Sequence, residues 1–409
     1  MNVEIVGCDA EQIHIPGSIQ PDGFMLIAQV TTRLVVGYAG RDDAFINENV
    51  LGLCLDDVID LGSHLTTDTL PSTGTKVIGD VSVAGKTMDA VVFISGEYLV
   101  VELTDKDPQH SLDASFLAEL QAAGSIFDKA YSLQELCQQA SEAFQGLTGY
   151  GRVLVYHFVD DDAGVVVGES IADASSSFLN HHFPASDIPK QARALYVRNR
   201  VRVITDVNYV PVPIVGIDQG LAAIDLSDSM LRSVSPIHIQ YLKNMGVAAS
   251  ASMSIIVDGV LWGLVACHHN QPRPISLTAK LACQALASSL SRRIKARQEN
   301  ELYRERPHLR SQEDLILSYF GVDDSLPEFF EKAGADLAML MQATGFAALQ
   351  GSSLLLWGKC PDPIDVRELG RAVVARGPLG PWATSELGYE IPSAASYREL
   401  ASGLLAFVV

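Results

Sequence analysis

The stretch "ASMSIIVDGVLWGLVACHH", residues 251–269, decides how the chain folds. Two apolar, β-rich runs meet at Asp258-Gly259, a dipeptide suited to the two-residue turn of a β-hairpin. Along the second run successive side chains alternate between the two faces of a sheet, so Cys267 and His268 must point to opposite sides. Working outward, "RVLVYHF" (152–158), "AGVVVGESI" (163–171) and "RVITDV" (202–207) read as further strands, and "RALYVRNR" (193–200) has helical propensity. A turn-rich loop over about 208–231 is long enough to suggest a functional role.

Upstream, residues 24–105 alternate short apolar runs with Gly, Asp and Asn, the pattern of a small antiparallel sheet with short helices; Ser95-Gly96 marks a hairpin. "DKDPQH" (105–110) breaks that pattern, and residues 113–146 carry apolar residues at helical spacing, among them Phe116, Leu120 and Phe127. Downstream, residues 276–318 form a charged amphipathic stretch with Leu286, Leu290 and Ile294 at i, i+4 and i+8. A helix of ~40 residues would be ~60 Å long, more than one domain needs, and predicts an interdomain spine that Pro307 should kink or divide. Residues 319–409 begin a third α/β unit ending on "ASGLLAFVV", read as an apolar strand with no partner after it. The fold class is α+β, with domains expected at 1–108, 109–295 and 296–409.

Composition bounds the function. The 409 residues exceed what one core holds, and 48% hydrophobic with 19% charged residues belongs to a folded globular protein. A net charge of -20, from 49 acidic and 29 basic residues, argues against nucleic acid as a partner. No run approaches the ~20 apolar residues of a membrane span and no signal peptide is legible, so the expectation is a soluble cytoplasmic protein. Six scattered cysteines without CxxC spacing read as reduced thiols, most of them small core residues. Cys8 is the exception, since "GCDAEQIHIPGSIQPDG" (7–23) surrounds it with turn residues.

The most specific string is "HHFPASDIPKQARALYVRNRVR" (181–202). Pro184 and Pro189 bracket a non-helical segment around Asp187, whose backbone carbonyls are available to a ligand. Tyr196, Arg198 and Arg202, with Arg232, Ser250 and Ser252 further on, suit carboxylates, which Arg binds bidentately. The plainer reading is a set of surface salt bridges. His238 and Tyr241, three apart on a predicted helix, share a face. His268 on its strand is a ligand contact or a satisfied core histidine. The alternation disfavours Cys267 as a nucleophile with His268 as base, and the His181-His182 and His268-His269 pairs lack metal-ligand spacing.

"CDAEQIHIPGSIQPDG", "PASDIP", "LRSVSPIHIQYLKNMGV" and "LWGLVACHH" occur in the same order as, and closely resemble, signature segments of the bacterial phytochromes. The resemblance covers essentially the whole chain and implies PAS and GAF domains, an amino-terminal tail passing through a lasso in the GAF loop with Ile19 at the crossing (a figure-of-eight knot), and a GAF-like PHY domain that is incomplete and lacks its hairpin tongue. It implies a red/far-red photoreceptor and not an enzyme, with no kinase or other output domain expected in the chain.

The ligand so implied is biliverdin, a linear tetrapyrrole, joined by a thioether to Cys8. Relatives that attach the pigment in the GAF domain have Cys where this chain has Ile237. Arg202, Arg232, Tyr196, Ser250 and Ser252 would meet the propionates. The Asp187 carbonyl and a water held by His238 would serve the pyrrole nitrogens, and His268 the terminal ring's carbonyl. Tyr156, Phe183 and Tyr241 would surround that ring, with Ile188 and Ser235 in the same cofactor-binding set. A homodimer along the 276–318 helix follows. The family usually has His in place of Asp22, near the lasso, where a small effect is expected; absence of the tongue would make the photoproduct unstable. The rival readings are a pigment-free interaction or dimerisation scaffold, and a hydrolase using Cys267.

Overall fold

In a computed structural model the protein is described over residues 11–40, 48–61, 70–71, 73–106, 113–159, 163–172, 176–320, 325–377 and 380–408; Cys8 lies outside them. The chain divides into two compact units, Met1–Gln298 and Glu299–Val409.

The first unit opens with β1 (Ser18–Ile19), β2 (Gly23–Gln29), β3 (Val35–Ala39), α1 (Leu55–Val58), β4 (Lys76–Val83), β5 (Lys86–Ser95) and β6 (Tyr98–Asp105). There follow α2 (Ala114–Ile126), α3 (Leu133–Thr148), β7 (Arg152–Phe158), β8 (Gly164–Ile171), β9 (His182–Phe183) and α4 (Lys190–Arg198). Next come β10 (Val201–Ile204), β11 (Val212–Pro213), β12 (Val215–Gly216), α5 (Pro236–Asn244), β13 (Ala249–Val257), β14 (Val260–His269) and α6 (Leu277–Ser318). Among the described residues these strands form two six-stranded antiparallel sheets, ordered β12-β3-β2-β6-β5-β4 and β10-β13-β14-β7-β8-β9, and a separate two-stranded pair, β1-β11.

The local signals act as their chemistry requires. Asp258 (φ 51°) and Gly259 (φ 81°) are both left-handed, as the β13–β14 turn demands. In the β5–β6 hairpin Ser95 pairs with Tyr98, so the turn is Gly96-Glu97, one residue beyond the expected Ser95-Gly96. The helical pattern of 113–146 resolves into α2 and α3. Ser132 caps the second by accepting the Glu135 N–H at 3.1 Å.

The 208–231 segment, expected to be a loop, supplies strands to two partners. β11 pairs with β1, Ile19 opposite Val212, and β12 joins the edge of the first sheet, Val215 opposite Tyr38. Ile19 also bridges Arg232. This residue is fully buried, flanked on one side by Val212 and on the other by Arg232.

Period-two alternation divides the second sheet into two faces. Val153, Val155, Val201, Val203, Ala249, Ala251, Met253, Val265 and Cys267 pack with Phe144 of α3 and Leu286, Leu290 and Ile294 of α6. Leu154, Tyr156 and Leu264 pack on the opposite face. The register slips between β7 and β8, where Val155 faces Gly168 and Tyr156 faces Val166, and again at a bulge where Ile255 faces Gly263 and Ile256 faces Leu261. Trp262 is the extra residue and turns to the helix-covered face. Cys137, Cys267 and Cys283 are core residues as expected, whereas Cys54 and Cys360 are only half-buried.

Two expectations are corrected. Pro307 does not divide the long helix; α6 runs unbroken through it. Proline removes the bond to the carbonyl four residues back, Tyr303, while the turns on either side keep theirs. The terminal apolar strand does have a partner. The second unit contains α7 (Leu326–Leu340), β15 (Gly345–Gln350), β16 (Ser353–Gly358), α8 (Pro363–Arg376), β17 (Trp382–Thr384), α9 (Leu387–Glu390) and β18 (Leu404–Ala406). In it β18 pairs with β17, which precedes it in the chain. Among the described residues no helix is long and apolar enough to cross a membrane.

Candidate functional site

The face of the second sheet that α3 and α6 leave uncovered forms the floor of a cavity of about 280 Å³. Alternation sends Leu154 and Tyr156 of β7, Arg202 and Ile204 of β10, Ser250 and Ser252 of β13, and Leu264, Ala266 and His268 of β14 into it. The walls come from α4, α5 and the 184–189 segment. Register places Ser252 beside Arg202 and Ser250 beside Ile204.

One end of the cavity is cationic. Arg202 and Arg232 are both buried. Arg202 Nη2 donates to the Arg232 carbonyl, while Arg202 Nη1 is buried with no hydrogen-bond partner among the described residues. Arg232 Nη1 only grazes the Leu226 and Ser227 carbonyls, at 3.4 and 3.5 Å. Burial lowers the pKa of Arg202; burial first, then the repulsion of Arg202, brings Arg232 down to about 9. A buried donor without a partner costs ~1–3 kcal/mol, more when charged, so this end calls for an anion with hydrogen-bond acceptors. Tyr196 on α4 lines the same cavity.

The middle and far end are aromatic and neutral. Ser235 caps α5, its hydroxyl accepting from the Ile237 N–H at 3.2 Å, with Pro236 at the first helical position. One turn on, the His238 and Tyr241 rings stack at 6.0 Å and 15°. Tyr241 OH donates to the Asp187 carboxylate at 3.3 Å. Asp187 closes a single 3₁₀ turn after Pro184. The Ile188 carbonyl accepts from Arg193 Nε at 2.9 Å. Tyr156 meets Phe183 with ring centres 5.9 Å apart. Burial is the main cause that pushes the Tyr156 phenol up to about 12. Burial also brings His238 and His268 down to about 4, with the charge of Arg202 adding to the first and that of Arg152 to the second. Both imidazoles are therefore neutral near pH 7, each with one donor and one acceptor nitrogen.

The structure thus brings Tyr156, Phe183, Asp187, Ile188, Tyr196, Arg202, Arg232, Ser235, His238, Tyr241, Ser250, Ser252 and His268 around one cavity. Arg198 does not join them: its guanidinium forks onto Asp228, with Nε at 2.8 Å and Nη2 at 2.5 Å from the two carboxylate oxygens. Cys267 lies on the helix-covered face in the core, and burial raises its thiol pKa well above the ordinary value, so it is neither near His268's side of the sheet nor ionised. Sequence reasoning missed Leu154, Leu264 and Ala266, which share strand parity with Tyr156 and His268 and were open to that argument. It also missed Glu11 and Ile13 of the tail, for which no local signal exists. Glu11 accepts the Ser235 hydroxyl at 2.6 Å. Among the described residues no cluster of His, Cys, Asp and Glu could hold a metal.

Comparison with known proteins agrees with this architecture. Residues 8–105 match the PAS fold, 132–294 the GAF domain and 309–409 the phytochrome region. Cyanobacterial phytochrome B of Nostoc sp. is 31% identical over 100% of this chain and 56% of its own length; the chain spans about half the length of the curated relatives it matches. The crystal structure of a bacteriophytochrome from R. palustris superposes with a TM-score of 0.86 at 30% identity, covering 98% of this chain and 82% of that one. The photosensory core module of the Stigmatella aurantiaca phytochrome gives 0.86 at 31% identity, covering 100% and 84%. With antiparallel PAS and GAF sheets, a cavity on the open GAF face and a phytochrome region that begins within the long helix, this chain belongs to the phytochrome family and comprises its PAS, GAF and PHY photosensory regions.

Proposed function

We propose that this module is a red/far-red photoreceptor carrying biliverdin, held in the GAF cavity and attached through Cys8. The observation that carries the reading is the pairing of two buried guanidiniums, one with an unpartnered nitrogen, with a neutral aromatic chamber in the same cavity. A dicarboxylate with a flat apolar body fits both ends. When bound, a linear tetrapyrrole supplies the light absorption and the double bond that isomerises.

The protein's part follows from the residues. Arg202 and Arg232, with Tyr196, Ser250 and Ser252, bind the two propionates; Arg202 Nη1 gains the acceptor it lacks. The Asp187 carbonyl and a water held by neutral His238 accept from the pyrrole N–H groups, and neutral His268 donates to the terminal ring's carbonyl. Tyr156, Phe183 and Tyr241 shape the space in which that ring turns, with Ile188 and Ser235 completing the lining. Cys8 lies three residues before Glu11, which lines the cavity.

The domain boundaries proposed are 1–108, 109–295 and 296–409. The knotted passage of the tail is supported by Ile19, held between Val212 and Arg232. Exposed Leu302 and Leu309 on α6 support a homodimer whose helices relay the signal.

The test is to add biliverdin to the purified protein, record spectra before and after red light, and look for pigment on the denatured chain, with Cys8→Ala alongside. A far-red band that photoconverts, covalent in the parent and not in the variant, supports the reading. No pigment uptake would leave a pigment-free interaction scaffold in its place.

A further inference from the structure

A buried carboxylate stands outside the cavity, in the other domain. Glu102 lies on β6 of the PAS sheet and is 2% exposed. Its strand neighbours Leu103 and Val101 pack into the core on one face of that sheet, so Glu102 points to the other face, the side where Val100, Met25 and Leu231 are buried. A carboxylate there costs several kcal/mol unless donors surround it.

They do, and all come from one turn. Glu102 accepts from the Ser229 hydroxyl, from the Met230 N–H at 2.9 Å and from the Leu231 N–H at 3.1 Å. Ser229 Oγ in turn accepts from the Arg232 N–H at 2.8 Å. The turn that delivers Arg232 to the cavity is therefore folded around a carboxylate supplied by the PAS domain. On the other side of the same residue, the Arg232 carbonyl accepts from Arg202 Nη2 and, at 3.4 Å, from Gln20 Nε2. Arg232 is thus pinned through its N–H and its carbonyl, while among the described residues its guanidinium makes two long contacts, to Leu226 and Ser227.

We infer that Glu102 is a positioning residue for Arg232, acting through Ser229, so that the anion-binding end of the GAF cavity is built in part by the PAS domain. The inference rests on the proposal that the cavity takes the carboxylates of a linear tetrapyrrole. It accounts for a buried acid on that sheet face, where the charge of Lys280 also acts on it, and it makes pigment affinity depend on a side chain that never touches the cavity.

The test uses the whole chain in a Cys8→Ala background, where binding is reversible, and two probes: biliverdin and its dimethyl ester, in which both propionates are masked. Glu102→Gln keeps the shape but places an amide against three donors. Ser229→Ala removes only the relay hydroxyl and is the control should Glu102→Gln fold poorly. Loss of a charge-assisted hydrogen bond predicts about tenfold weaker biliverdin binding in each variant, against little change for the ester. Equal weakening for both probes, or none for the free acid, overturns the inference. A pigment-free readout stands beside it: amide exchange of Met230 and Leu231 should quicken about tenfold in Glu102→Gln, and unchanged exchange would also overturn it. If the parent binds neither probe, the pigment reading fails, and the exchange rates still decide whether Glu102 holds the Arg232 turn.

Discussion

The Tyr241 hydroxyl on α5 donates to the Asp187 carboxylate across the cavity at 3.3 Å. This bond ties the proline-bracketed 184–189 segment to a helix more than fifty residues later, separated by 54 positions in the chain. Tyr241→Phe keeps the ring and removes the bond, and the expected loss is about 1 kcal/mol of unfolding free energy. Urea unfolding of Tyr241→Phe, Asp187→Ala and the double variant checks it: the two single losses should not add. Full additivity would mean that the contact contributes nothing.

Stability should fall on mild acidification. Burial holds His238 and His268 near 4, below the ordinary 6.5. Unfolding returns both toward 6.5, so between these values the unfolded chain binds more protons. This contribution is complete above about pH 6.5 and is lost as pH falls toward about 4. The urea midpoint of pigment-free protein should therefore drop between about pH 7 and about pH 5, and His238→Gln with His268→Gln should flatten the slope. A slope that survives both substitutions would assign it to other groups.

Two glycines on β8 should respond differently to the same methyl group. A Cβ on Gly168 would meet the backbone of α3 at Cys137 and Gln138, so Gly168→Ala must push the helix off the sheet. About 2 kcal/mol of destabilisation is expected. On Gly164 the Cβ would fall on the Tyr156 ring, a side chain that can swing. Gly164→Ala should cost less stability and more pigment uptake, since Tyr156 lines the cavity. Thermal melts with pigment titrations separate the two, and equal effects on both readouts would contradict this assignment.

Leu302 and Leu309 are exposed on α6, seven residues apart and so on one face. If they carry the dimer, Leu302→Glu with Leu309→Glu should sediment as a monomer where the parent is a dimer. Dimers persisting at the same concentration would place the interface elsewhere.

Pro307 sits inside α6 and costs the helix a hydrogen bond. Pro307→Ala should stabilise the surrounding turns by up to ~3 kcal/mol. Slower amide exchange over residues 300–312 would show it. Exchange unchanged there would mean that neighbouring groups already satisfy the Tyr303 carbonyl.

What the sequence determined by itself is the part written in short-range periods. The alternation of residues 249–257 and 260–269 and the Asp258-Gly259 turn place Ser250, Ser252 and His268 on one face and Cys267 on the other. The three-residue spacing of His238 and Tyr241 brings their rings together on α5. Each such signal lies within a few residues, where steric pleat or helix pitch enforces it.

Tertiary structure decided the rest. Nothing local marks Val212 as the partner of Ile19, Val215 as an edge residue of the first sheet, or Asp228 as the acid that takes Arg198 away from the cavity. The Trp262 bulge is equally silent, because an extra residue is visible only against its partner strand. Glu102 and Ser229 are 127 positions apart. Their pairing is chosen by the cost of leaving a carboxylate and three donors unsatisfied in a buried interface, a cost that exists only once the two domains have closed around them.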